Sequence, residues 1–176
     1  MTITAIKNAV TEVLPPVTPE AYREGMSSLA AAVNVVTTTG PEGRAGFTAT
    51  AVCSVSDTPA TLLVCLNRGA SVHQVFKNSR HLVINTLTSQ HQLISNTFGG
   101  KAPMNERFEI GDWVESTTGC PRLADAAVSF GCIITDVKSV ATHDVIFCQV
   151  VDIKQDPEAD ALLYYQRGYH SACKDV

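Results

Sequence analysis

The sequence predicts a mainly β fold, an antiparallel barrel, closed or partly closed, with helices at its periphery. Helical patterns are few and short, and the apolar and β-branched runs are long and follow one another directly. No regular strand–helix–strand alternation is present, so a doubly wound sheet is the lesser alternative. The chain has 176 residues, a length that suggests one domain and can bury roughly 70% of the surface its unfolded form exposes.

Residues Ile3, Ile6, Val10, Val13 and Leu14 recur at helical spacing until Pro15 and Pro16 end the pattern. Positions 1–16 therefore read as a short amphipathic helix or docking arm, and 17–176 as the domain. Thr18 before Pro19 is an N-cap with proline at the first helical position, opening a helix through Tyr22, Met26 and Leu29. Asn34 and the run VVTTT turn the chain into a strand, and Gly40–Gly43 (GPEG) supplies a hairpin turn. GFTATAV follows. After the turn at DTP comes TLLVCLN (Thr61–Asn67), nearly continuously apolar and expected to be buried on both faces. A short helix from about Ser71 to Phe76, the strand HLVINTL and a helical segment from 90 to Phe98 come next. FGGKAPMNERF reads as a loop. The last third holds AAVSFGCIITDVKSV, HDVIFCQVVDIKQ and LLYYQ as strands.

Hydrophobic residues make up 45% and charged residues 17% of the chain, a globular composition that argues against disorder. The net charge of −4 leaves no basic footprint for nucleic acid or an anionic membrane. Cys53, Cys65, Cys120, Cys132, Cys148 and Cys173 include no C-x-x-C pair, and are expected to be reduced, mostly buried thiols of a cytoplasmic protein with no metal site. The N-terminal stretch is interrupted by Lys7 and Glu12, so it reads as neither signal peptide nor membrane span.

The segment GFTATAVCSVSDTP, Gly46–Pro59, is poor in bulky side chains and rich in Thr, Ala and Ser. A backbone that must approach a ligand closely needs such residues, and their hydroxyls can donate to polar ligand atoms. A tightly packed strand crossing, where small residues let two backbones meet, fits the same composition. LNRGAS (Leu66–Ser71) ends a strand with Asn67 and puts Ala70 and Ser71 at a helix start, a place that suits a phosphate, although Ser71 fits a plain N-cap equally.

The order AAVNVVTTTG, GFTATAVCSVSDTPATLLVCLN, AS with a following His, NERF, THDVIFCQV and LLYYQRGYH resembles the short-chain flavin reductase family from Tyr22 to His170. Within it the chain is most similar to the reductase components of two-component aromatic hydroxylases, of the 4-hydroxyphenylacetate 3-monooxygenase and chlorophenol monooxygenase type. The resemblance implies a Greek-key split β-barrel, a homodimer, NADH-driven reduction of FAD or FMN, and delivery of reduced flavin to a separate oxygenase. It implies flavin contacts from Thr37, Thr48, Ala49, Thr50 and Ala51, continued by Cys53 and Ser54. Asn67, Ala70 and Ser71 would take the ribityl and phosphate end.

Lys101 could meet a phosphate or be a solvated loop lysine, and Phe98 could cover the ligand or belong to the core. By the same resemblance His143, at the entry to an apolar strand, would help seat the nicotinamide and is the candidate catalytic residue. A capped strand-end histidine is the alternative. The tail QRGYH, with Arg167 and Tyr169, would lie near the same pocket, and Gly168 stands where the family has a basic residue. Two other readings share the barrel, a flavin- or haem-binding module without NADH oxidation and a pyridoxamine phosphate oxidase relative. The second should carry a basic phosphate cluster, and none is evident.

Overall fold

The computed structural model describes residues 14–173. The helix expected before Leu14 lies outside them. Helix α1 (Pro19–Ser27) starts as its sequence dictates, with the Thr18 hydroxyl accepting from the Ala21 amide at 3.2 Å and Pro19 in the first turn. The strands are β1 (Ala31–Ala32), β2 (Asn34–Gly40), β3 (Gly43–Ala49), β4 (Val52–Asp57), β5 (Ala60–Asn67), β6 (His81–Thr86), β7 (Trp113–Glu115), β8 (Pro121–Leu123), β9 (Val128–Val140), β10 (His143–Gln155), β11 (Ala161–Tyr165) and β12 (Gly168–Ala172). Between them lie α2 (His73–Lys77), a 3₁₀ turn (Ser89–His91), α3 (Gln92–Gly99) and α4 (Met104–Arg107).

Seven strands form one antiparallel sheet in the order β3-β2-β6-β9-β10-β5-β4. Strands β3 and β4 are neighbours in sequence but stand at opposite ends of that order. The sheet therefore has to curl, and the curl is visible in its core. Ala45, Phe47 and Ala49 of β3 share one buried cluster with Val64 and Leu66 of β5, and with Ile84, Cys132, Ile146 and Cys148 of the strands between. A hydrogen bond with Cys132 and burial push the Cys148 thiol pKa far up, so these two sulfurs act as small apolar core groups.

Strand β2 is buried on both faces because its alternate residues serve two cores. Val36 faces the barrel interior, whereas Val35 faces a second cluster with Ile94 and Phe98 of the α3 region, Leu123 of β8 and Leu162 of β11. The hydroxyls of VVTTT find acceptors on neighbouring strands, as buried polar groups must, with Thr38 donating to His81 O at 2.6 Å.

Two expectations change. TLLVCLN is fully buried on one face only, since Val64 and Leu66 point inward while Leu63 and Cys65 stay half-buried on an outer face that no element among the described residues covers completely. The loop FGGKAPMNERF contains the single turn of α4. GFTATAV ends β3 at Ala49, bends at Thr50–Ala51 and enters β4 at Val52.

Candidate active site

The site lies where the curled sheet fails to close. On one side is β3, on the other β5, and the β4–β5 ladder reaches one rung further to the bend, where the Cys65 amide donates to Ala51 O at 3.1 Å. Beside it opens a cleft of about 420 Å³. Thr48, Ala49, Thr50 and Ala51 form one wall, with Gly99 and Gly100 at the end of α3 next to them. The facing wall comes from Cys65 to Asn67 of β5, the Ala70–Val72 turn and His143. His143 opens β10 opposite Asn67, and its Nδ1 lies 2.9 Å from the Thr142 hydroxyl.

The thinness of the first wall has a packing cause. Gly46 lies under Phe98, and a Cβ there would sit 2.7 Å from Cε1 of that ring. Thr48, two residues on and on the same face of β3, donates its hydroxyl to Ser95 O at 2.7 Å. The outer face of β3 is thus kept small so that α3 can lie against it, while Ala49 on the inner face leaves the cleft open. Ligand approach and strand crossing, the two readings of this segment, apply to alternate residues of one strand.

The opposite wall is held by polar ties. Asp144 of β10 accepts from the Ser139 hydroxyl at 2.7 Å and pairs with His73 Nε2 at 2.7 Å, which fixes the first residue of α2 to the barrel end. The bonds from Ser139 and His73 hold the Asp144 carboxyl below the usual carboxylate range. The Asn67 side chain accepts from the Gly69 amide at 2.8 Å and shapes the turn that leads to Ser71. Because α2 is only five residues long, its dipole adds little to anion binding, contrary to the expectation placed on Ser71.

The structure brings Thr48, Ala49, Thr50, Ala51, Asn67, Ala70, Ser71 and His143 to one cleft. Phe98 reaches it only from behind, since it is 1% exposed and packs on Phe108 and Trp113 with ring centroids 5.1 and 5.2 Å away. Thr37 is not there. It is fully buried and its hydroxyl donates to Pro121 O beneath β8, so its work is to tie two strands together.

Cys53 and Arg167 line a neighbouring groove of about 930 Å³ between α1 and the β4–β5 hairpin, where Arg167 pairs with Glu24 at 2.6 Å. Tyr169 lines a third cavity of about 460 Å³, its hydroxyl placed 2.8 Å from Ser95 Oγ and 2.9 Å from Asn96 Oδ1. Lys101 lines an annex of about 590 Å³ that continues the cleft past Ser71. Ser54 is exposed on β4 and lines none of these cavities. Thr50 borders the cleft, the groove and the third cavity alike.

The sequence reading missed Arg107. It is 6% exposed, yet its guanidinium borders both the cleft and the annex. It donates to four carbonyls, Ala102 at 3.0 Å, Gly46 at 3.1 Å, Phe98 at 2.9 Å and Gly100 at 3.1 Å. Burial draws its pKa below the ordinary guanidinium value.

A side-chain-poor slot on the seam of an antiparallel barrel, with a polar end, fits a flat conjugated ring carrying a polar tail, and defines a flavin-binding split barrel. The sequence profile of the flavin reductase like domain matches residues 26–172, and the chain belongs to that family of flavin oxidoreductases. It is 55% identical over 150 residues to FMN reductase (NADH) RutF of Klebsiella pneumoniae subsp. pneumoniae, a match covering 85% of this chain and 92% of the relative. The corresponding RutF of Enterobacter cloacae subsp. cloacae is 53% identical over 152 residues, covering 86% and 93%.

Among solved structures, a candidate flavin reductase from Haemophilus somnus 129PT superposes with a TM-score of 0.87 at 46% identity, covering 89% of this chain and all of that one. The NADH:FAD oxidoreductase SgcE6 of Streptomyces globisporus C-1027, solved with NAD and FAD fragments, has a TM-score of 0.84 at 22% identity, covers 94% of this chain and 99% of that one, and shares the fold.

Proposed function

We propose that this protein is an NADH-dependent flavin reductase that works on FMN, accepts FAD, and releases the reduced flavin to a separate oxygenase. The observation that carries the reading is the cleft on the barrel seam, with Thr48–Ala51 forming a wall low enough for a planar ring. The names of relatives more than 50% identical to it favour FMN with NADH. The resemblance to aromatic hydroxylase reductases favours an oxygenase that acts on an aromatic substrate.

Bound flavin would supply the ring that accepts the hydride of the nicotinamide. The residues of this chain then have three tasks. Thr48 to Ala51 seat the ring and, with Leu66 and Val72, keep water from one of its faces. Asn67 and Ser71 offer hydrogen bonds to the polar tail. His143 stands at the rim and orients the nicotinamide. The groove and the third cavity, which meet the cleft at Thr50, give the rest of the dinucleotide room to lie, with Arg167 and Tyr169 beside it.

The protein acts as a homodimer in the cytoplasm. Tyr22 and Met26 of α1 and Leu29 just beyond its end are exposed, as is Val55 on β4, and none of the residues of α1 is buried. A second copy covering this apolar face would bury it as monomers ordinarily do not leave such patches open.

Mixing the protein with NADH and excess FMN under nitrogen should bleach flavin absorbance catalytically, and no turnover with FMN, FAD or riboflavin overturns the reading. Replacing His143 with Ala should raise the KM for NADH about tenfold and leave FMN affinity within about twofold. An unchanged NADH dependence removes it from the site.

A further inference from the structure

Arg107 is a buried cation without an anion. The ion pairs found among the described residues do not include it, and the acceptors around it are backbone carbonyls from α3, from the strap that follows α3, and from β3. Carbonyl dipoles stabilise a guanidinium but do not cancel its charge, and a charge held in a poorly solvated wall projects further than one in water. Among the described residues lining the cleft it is the one permanent cation. It sits at the cleft's Ser71 end, where the annex carrying Lys101 and Arg44 begins, and Glu42 is the acidic residue on that annex.

The four carbonyls account for a hydrogen-bonding side chain at this position, since an apolar one would leave them unpaired, but they do not by themselves place its charge at the end of the cleft. The location of the charge at one end of a ring-shaped slot is what a ligand with an anionic tail requires.

We propose that Arg107 is the flavin-binding residue that sets the preference for a phosphorylated flavin, its charge acting on the phosphate while its fork of hydrogen bonds fixes the strap Gly99–Pro103 as the wall of the slot. The proposal rests on the flavin reading of the cleft. It also moves the phosphate determinant away from the one-turn helix α2 and from the exposed Lys101, and onto a residue of the interior.

The test compares FMN with riboflavin, which has the same ring and ribityl chain but no phosphate, by quenching of flavin fluorescence on binding, with no NADH present. The wild-type protein should bind FMN at least about tenfold tighter than riboflavin, and Arg107→Met, which loses both the charge and the fork, should weaken both ligands but FMN the more, bringing the two within about twofold of each other. Arg107→Lys keeps the charge and loses the fork. It should weaken both ligands and preserve their ratio.

Loss of both affinities in equal proportion in Arg107→Met overturns the proposal, because a purely structural tie does not distinguish the ligands. If Arg107→Met does not fold, salt decides. FMN affinity of the wild-type protein should fall as ionic strength rises while riboflavin affinity holds, and an FMN affinity indifferent to salt overturns the proposal. Failure of both ligands to bind the wild-type protein overturns the flavin reading itself, which separates the two failures.

Discussion

Strands β3 and β4 are built from the same kind of residue and lie either side of one bend, yet they meet opposite surroundings. On β3, Ala45, Phe47 and Ala49 are buried, and Gly46 lies under the Phe98 ring. On β4, Cys53, Ser54, Val55 and Asp57 are exposed. Smallness in β3 is enforced by two layers pressing on it, α3 outside and the barrel core inside. In β4 only Val52 packs against the core, and among the described residues no layer covers Cys53, Ser54 and Val55. Composition reports that a segment lacks bulk, while the reason for it resides in what other parts of the chain bring near.

That contrast can be broken by substitution, and the largest effect should come at Gly46. Gly46→Val would drive a branched side chain into Phe98 and the Val36 carbonyl, and should lower stability by about 3 kcal/mol in urea unfolding. Stability close to wild type would mean that α3 is free to shift and that the β3 wall is not set by packing. Ala49→Leu, on the inner face, should instead act on the ligand, weakening FMN about thirtyfold, roughly 2 kcal/mol, by filling the slot. Normal FMN titration would place the ring elsewhere.

Thr48→Val removes the bond to Ser95 O and should cost about 1 kcal/mol, read in the same unfolding experiment. The facing wall, packed through Leu66 and Val72 and tied at its end by Asp144, should respond to acid. Asp144 has a folded pKa below its unfolded value, so its contribution is complete at neutral pH and is lost as pH falls below about 4 and through the folded pKa. Asp144→Asn should therefore unfold at lower urea than wild type at pH 7, and the gap should narrow at pH 3. A gap that does not narrow removes the carboxylate from the account. Ser54→Val on β4 should change stability by no more than about 0.5 kcal/mol.

Much of the barrel was legible because its strands are long. The thirteen residues of β9 and of β10 carry a signal that single-sequence reasoning detects, as do the Thr18–Pro19 helix start and the Gly40–Gly43 turn. Strands β1, β7 and β8, of two or three residues, span too little chain to show a period, and β12 begins inside a tail rich in polar residues. Burial of TLLVCLN was overestimated because an apolar run does not reveal whether both faces have a neighbour.

At the site the small residues were readable and their neighbours were not. Thr37 and Thr48 look alike in sequence, and only topology separates a hydroxyl beneath β8 from one under α3. Arg107, in a glycine- and charge-containing stretch, has the look of a solvated side chain. Its one hint is the apolar Phe108 that follows and packs into the second core.

The bond from the Cys65 amide to Ala51 O is the last rung of the β4–β5 ladder and sits at the bend where the slot begins. That amide proton is consequently a built-in gauge of the bend. Its rate of replacement by deuterium would register each parting of β5 from the turning chain, in a position where no probe needs to be attached.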